Sequence, residues 1–269
     1  MSHNLLKGKK GIIFGALNDQ SLAWKTALKC HEEGAEIVLT NAPIALRMGE
    51  INKLAEAINA PVIGADVTNM EDLSNLFDKS MEHFGGKIDF ILHSVGMSVN
   101  IRKGNPYTAL NHDFEMKTLD ISAVSFHKVL QVAYEKDALN EWASVVALTY
   151  IAAQRVFPDY NEMADAKSLL ESIARSFGYH YGIKNKVRVN TISQSPTRTT
   201  AGSGVKGFDG FMNFSEAMSP LGNATAEAFA DYCVTLFSDF TKYVTMQNLF
   251  HDGGYSATGV TQQVVDKMA

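Results

Sequence analysis

KGIIFGALNDQSLAWK, residues 10–25, passes from a short β-branched run through one glycine into a helical pattern. That order is a strand, a tight turn and a helix, and the rest of the chain repeats it. Beyond it, SLAWKTALKCHEEGAE reads as a helix: Ser21 is placed to cap its start, Leu22, Ala27 and Leu28 supply apolar positions, and Gly34 ends it. Six further apolar runs follow, AEIVLTN, PVIGAD, DFILHSVG, ASVVALTY, VRVNTIS and QNLFHDGG, separated by helical stretches of 12 or more residues. Alternation of this kind predicts about seven mostly parallel strands with helices on both faces, a single-domain, Rossmann-type doubly wound α/β fold over residues 1–269.

Composition narrows the function. At 269 residues with 46% hydrophobic and 20% charged residues, the chain can bury a large core. Its net charge of -5 and lack of a dense Lys/Arg tract argue against nucleic acid as a partner. No run of 18 apolar residues predicts a membrane span. Cys30 and Cys233 stand far apart without metal-ligand spacing, so no metal is expected, and two free thiols in a reducing, cytoplasmic compartment are the simpler reading.

Ligands of open parallel sheets bind beyond the C-terminal strand ends. There Gly15 permits close approach of a pyrophosphate, and the N–H groups near Ser21 and Leu22 offer donors at a positive helix end. Asp66 closes PVIGAD and Val67 follows it, an arrangement that suits an adenine edge, although an acidic helix cap would look the same. Ser94, Val95 and Gly96 leave room for ribose and nicotinamide, while His93 reads as a packed, hydrogen-bonded histidine. At the end of AEIVLTN, Asn41, Ala42 and Pro43 supply neither an acid for a ribose diol nor a cation for a 2'-phosphate. Arg47 is the nearest positive charge, and the balance points to NADH.

Tyr150 closes ASVVALTY, and Tyr160 and Lys167 are expected to begin the next helix, seven residues apart on one face. A lysine beside a tyrosine eases phenolate character and can also hold ribose hydroxyls.

On these residues the chain resembles the short-chain dehydrogenase/reductase superfamily and, within it, the bacterial NADH-dependent enoyl-acyl-carrier-protein reductases. The resemblance covers about residues 6–255. It rests on Gly15, five residues, then Ser21-Leu22; on Asp66-Val67; on His93, Ser94, Val95, Gly96; on Tyr150, Pro158-Asp159-Tyr160-Asn161 and Lys167; and on VRVNTISQSPTRT, residues 187–199. Ketone reductases of the superfamily carry a serine where this chain has Ala147. The chain departs from the family at Asp165, at Met97-Ser98 and at Gln194-Ser195.

The resemblance implies reduction of a trans-2-enoyl thioester on acyl carrier protein, with Tyr150, Tyr160 and Lys167 catalytic and Ser98, Tyr150 and Tyr160 toward the substrate. It implies Thr197, Arg198, Thr199, Thr200 and Ala201 as further cofactor contacts, and a homotetramer. A carbonyl reductase and a silent dinucleotide-binding protein are the alternatives. Residues 197–219, with TAGSGVKGFDGF and then Phe214 and Met218, are expected to be a substrate-covering lid.

Overall fold

The computed structural model describes residues 2–47, 50–199 and 207–269. In chain order the main elements are β1 (Lys10–Phe14), α1 (Leu22–Glu32), β2 (Glu36–Thr40), α2 (Pro43–Leu46), α3 (Glu50–Ile58), α4 (Met70–Phe84) and β3 (Ile88–His93). Then come α5 (Val99–Lys103), α6 (His112–Leu119), α7 (Ser125–Glu135), β4 (Leu139–Thr149), α8 (Met163–Asn185) and β5 (Arg188–Gln194). The chain closes with α9 (Phe208–Met218), α10 (Ala226–Phe237), β6 (Asn248–His251) and α11 (Gln262–Met268).

Six strands form one sheet in the order β2-β1-β3-β4-β5-β6, and every pairing is parallel. The expected strand over PVIGAD is a correction. It runs beside β2 through three backbone hydrogen bonds, Leu39 N to Pro61 O, Ile63 N to Leu39 O and Ala65 N to Asn41 O, but its ladder reduces to one bridge, Leu39 with Val62. Proline at its start and Gly64 within it explain why it stays an edge segment.

Alternate strand residues feed two cores. Ile12, Phe14, Val38, Ile91 and Val145 face α4, α7 and α8 through Leu76, Phe126, Leu130 and Leu170. Ile13, Leu39, Leu92, Val146 and Ile192 face α1, α3 and α10 through Trp24, Leu54 and Phe229. Both faces are covered, as a parallel sheet requires.

A π-turn over Asp120–Val124 joins α6 to α7. From it Ser122 Oγ accepts from Met97 N at 3.0 Å and donates to Met97 O at 3.2 Å, pinning the loop that leaves β3.

Candidate active site

Strands β1 to β5 all end at one edge, since Phe14 pairs with both Thr40 and His93, His93 with Ala147, and Thr149 with Ser193. Gly15 sits there at φ +93°, and a Cβ on it would come within 2.0 Å of Ser94 O. Only glycine fits both the dihedral and the space.

Ser21 occupies the N-cap position of α1 but does not cap it. Its Oγ turns back into the loop, accepting from Leu17 N at 3.1 Å and Asn18 N at 3.0 Å and donating to Asn18 O at 2.7 Å. The capping role expected from sequence is therefore wrong, and the consequence favours a ligand. With no side chain among the described residues bonded to them, the first-turn N–H groups of α1 are placed to receive an anion such as a pyrophosphate.

At the end of β2, Asn41 Nδ2 donates to Ala16 O at 2.9 Å and Asn41 Oδ1 accepts from Ala42 N at 2.8 Å. These bonds tie Ala42 to the glycine turn. Arg47 is exposed at the C-cap of α2. Asp66 is exposed, and its Oδ1 accepts from Thr68 N and Thr68 Oγ1 at 2.9 and 2.7 Å, while Val67 is buried in the core. The carboxylate thus organises the turn into α4.

His93 is buried between Phe14 and Phe126, with Nε2 3.0 Å from Ser125 Oγ. Burial, and next the Lys167 ammonium, pull its pKa down to about 3, so it is a neutral packed residue. Val95 packs against the core. Beyond it Gly96 lies beside the lysine, where an added Cβ would make only ordinary contacts, with Met163 Cε at 3.5 Å and Lys167 Nζ at 3.8 Å.

Tyr150, Tyr160 and Lys167 line one cavity of about 180 Å³, together with Leu22, Thr197, Thr199 and the rings of Phe157, Phe208 and Phe211. Lys167 Nζ donates to Leu148 O at 2.8 Å. Burial pulls the pKa of Lys167 down to about 8, opposed by the Glu171 carboxylate. The rings of Tyr150 and Tyr160 lie 5.1 Å apart. Burial raises both phenol pKa values well above their ordinary range, for Tyr150 with a further push from Tyr160. Both phenols are therefore neutral O–H groups in the cofactor-free protein.

Two local expectations also change. Tyr160 is not in α8 but in the turn before it, because Asn161 takes φ +46° and sends its Nδ2 to Asn105 O at 2.6 Å. Ser98 does not line the cavity; its Oγ donates to Glu162 Oε1 at 2.6 Å and accepts from Ile101 N at the start of α5. Asp165 is approached by Tyr107 Oη at 3.5 Å, away from the cavity.

Within the expected lid, Phe208–Met218 is a helix and not a loop: Phe208, Phe211, Ser215 and Met218 recur at helical spacing, and Gly207 opens it at φ +72°. Phe211, Phe214 and Met218 also line a second, adjoining cavity with Phe157 and Tyr255. Arg198 pairs with Asp209 at 2.7 Å, linking the strand end to this helix. Thr200, Ala201, Gly202 and Gly204 lie outside the described residues.

Sequence reasoning missed Phe157, which belongs to both cavities, and Gln194, whose Oε1 meets His251 Nδ1 at 2.6 Å while Nε2 donates to Ala224 O. An aromatic just before the Pro-x-Tyr-Asn motif was the available signal for the first. The second was marked only as part of the Gln194-Ser195 departure, and its partners, 30 and 57 residues away, were not marked at all.

The family model described as "Enoyl-(Acyl carrier protein) reductase" matches residues 15–256. A Rhizobium meliloti protein named enoyl-[acyl-carrier-protein] reductase [NADH] 1 is 34% identical over 258 residues, covering 95% of this chain and 93% of its own. Among solved structures, a FabI-NADH complex from Alistipes finegoldii superposes with a TM-score of 0.96 at 65% identity, covering 97% of this chain and 92% of that one. The Bacillus cereus enoyl-acyl carrier protein reductase, solved with NADP+ and indole naphthyridinone, gives 0.88 at 31% identity over 97% of this chain and all of that one.

Proposed function

This chain belongs to the enoyl-[acyl-carrier-protein] reductases, and we propose that Tyr160, Tyr150 and Lys167 carry its NADH-dependent reduction of enoyl thioesters. The observation that carries the assignment is their convergence on one cavity at the ligand edge of the sheet. The residues present suit a dinucleotide: an uncapped helix start at Leu22, glycine at positions 15 and 96, and a buried ammonium beside them.

When bound, NADH would supply the hydride that adds to the β carbon of the trans-2-enoyl thioester. Charge then develops on the thioester oxygen, the Tyr160 hydroxyl, neutral and desolvated, donates a hydrogen bond to it, and a proton from solvent reaches the α carbon to give the saturated thioester. Tyr150 packs against Tyr160 and shapes the thioester side of the pocket. Lys167 holds ribose hydroxyls while its bond to Leu148 O fixes the side chain. Thr197 and Thr199 border the cofactor side, and Phe208–Met218 covers the acyl chain, with Phe208 and Phe211 excluding water.

Acyl carrier protein carrying the enoyl chain is the partner in this reading, and the setting is cytoplasmic, in keeping with two free, buried thiols at Cys30 and Cys233. Association to a homotetramer is supported by the outer face of α8, where Leu169, Tyr179 and Ile183 share one side and are 37%, 57% and 66% exposed. Among the described residues no helix is long and apolar enough to cross a membrane.

The test is NADH oxidation with a crotonyl thioester and, in parallel, a β-ketoacyl thioester. Turnover of the first and not the second is expected. The reverse preference would return the protein to the carbonyl reductases.

A further inference from the structure

Glu162 is fully buried, two residues after Tyr160 and immediately before α8. Its Oε1 accepts from Ser98 Oγ at 2.6 Å, Thr118 Oγ1 at 3.0 Å and Asn100 Nδ2 at 3.3 Å. The Thr118 hydroxyl also reaches Phe114 O at 2.9 Å and shares its proton between the two. Oε2 has no hydrogen-bond partner among the described residues. A carboxylate withdrawn from water with one oxygen unpaired is costly to stability. Its three donors come from the N-cap of α5, from α5 itself and from α6, so the group ties three separate places to one turn.

The network extends further. Asn100 Oδ1 accepts from Asn105 Nδ2 at 2.8 Å and Asn111 N at 3.0 Å, which folds residues 98–111 into one unit. Asn161 Nδ2 then donates to Asn105 O at 2.6 Å. The two residues that follow Tyr160 thus both grip this unit, one through its amide and the other through its carboxylate. Asn161 carries the left-handed dihedral that holds Tyr160 outside α8. Glu162 is the stronger anchor, because fully buried hydrogen bonds to a carboxylate form a cooperative cluster.

We infer that Glu162 is a positioning residue for enoyl reduction: its carboxylate clamps the Tyr160 turn to α5 and α6 and so sets where the Tyr160 hydroxyl meets the thioester oxygen. This rests on the role of Tyr160 proposed above. Glu162 itself does not line the cavity and acts only through the turn.

A double-mutant cycle tests it. Glu162→Ala, Tyr160→Phe and the double variant are compared in kcat at saturating crotonyl thioester and in NADH Kd. Displacement of the hydroxyl should lower kcat in Glu162→Ala about 10- to 100-fold, with NADH Kd unchanged. In the Tyr160→Phe background the same substitution should change kcat by less than about twofold, because the group it positions is gone. Glu162→Gln keeps an acceptor oxygen for Ser98 and Thr118 and should restore most of kcat. An equal fold-loss in both backgrounds would show a general structural defect and overturn the inference while leaving Tyr160 as donor. Near-normal turnover in Tyr160→Phe would overturn the donor role and the inference together. If Glu162→Ala does not fold, Ser98→Ala, which removes the 2.6 Å bond, gives the same cycle with smaller amplitude.

Discussion

Replacing Lys167 with methionine should make the cofactor-free protein more stable while removing its activity. Lys167 is 6% exposed, and burial lowers its pKa from 10.5 to about 8. Each tenfold change in proton affinity is worth 1.36 kcal/mol, so holding the charge here destabilises the fold by about 3 kcal/mol at neutral pH. Methionine has a similar length and no charge, and loss of the bond to Leu148 O returns about 1 kcal/mol. The net gain is about 2 kcal/mol, which for a chain of this size raises Tm by roughly 3–4 °C. The sign with pH follows from the depressed pKa. Between about 8 and 10.5 the unfolded chain binds the proton that the folded chain has lost, so the unmodified protein gains stability as pH rises through that window. The advantage of Lys167→Met is therefore complete below about pH 8, gone near pH 10, and reversed by up to about 1 kcal/mol above 10.5, where only the lost bond to Leu148 O remains. Thermal unfolding of both proteins without cofactor, at pH 7 and pH 10, measures this directly. A lower Tm for Lys167→Met at pH 7 would refute the reasoning, because the ammonium would then be a net contributor to the fold.

Tyr160→Phe should lower kcat by about 10²–10³ with NADH Kd within about twofold, the loss expected for one donor to a developing oxyanion; near-normal turnover would transfer the role to Tyr150. Gly15→Ala places a Cβ 2.0 Å from Ser94 O at φ +93° and should destabilise by more than about 1 kcal/mol, with weaker NADH binding seen by calorimetry. NADH should be preferred over NADPH in steady-state kinetics, since Asn41 and Ala42 offer a 2'-phosphate no cation; equal specificity that collapses in Arg47→Ala would mean that Arg47 reaches it. Hydrogen exchange across Phe208–Met218 should slow more on adding an acyl ligand to the NADH complex than on adding NADH alone, and equal protection in the free, NADH-bound and ternary states would make this helix a fixed wall.

The parallel sheet and its two-sided cover were legible because strand runs such as IIF and VVAL are apolar throughout, a pattern tied to burial on both faces. PVIGAD carried the same composition, yet its proline and glycine weigh against a regular ladder, and backbone pairing decided the matter. The convergence at the ligand edge was legible where one residue type at one spacing is demanded, as at Gly15 and across Tyr150, Tyr160 and Lys167, which meet at one cavity. It was not legible where several roles suit one side chain. Ser21 reads as a cap, but a hydroxyl can serve its own loop equally well, and it does. Seven-residue spacing placed Tyr160 in a helix, and the left-handed Asn161 leaves no trace in periodicity. The Glu162 cluster joins residues 44 to 64 positions apart, a separation at which no local pattern gives notice.

The strand order β2-β1-β3-β4-β5-β6 has a consequence during synthesis. As the chain leaves the ribosome, β1 can pair with β2 almost at once, since β2 begins at residue 36. Its other edge belongs to β3, which begins at residue 88. At 5–20 residues per second, about 2.5–10 s of translation separate the start of β2 from the start of β3. Throughout that interval the nascent chain carries a bare apolar strand edge, KGIIF, that any other extended segment could template on. Slow codons between residues 41 and 87 would lengthen the exposure, and a chaperone that binds short apolar strands would find its first client site here.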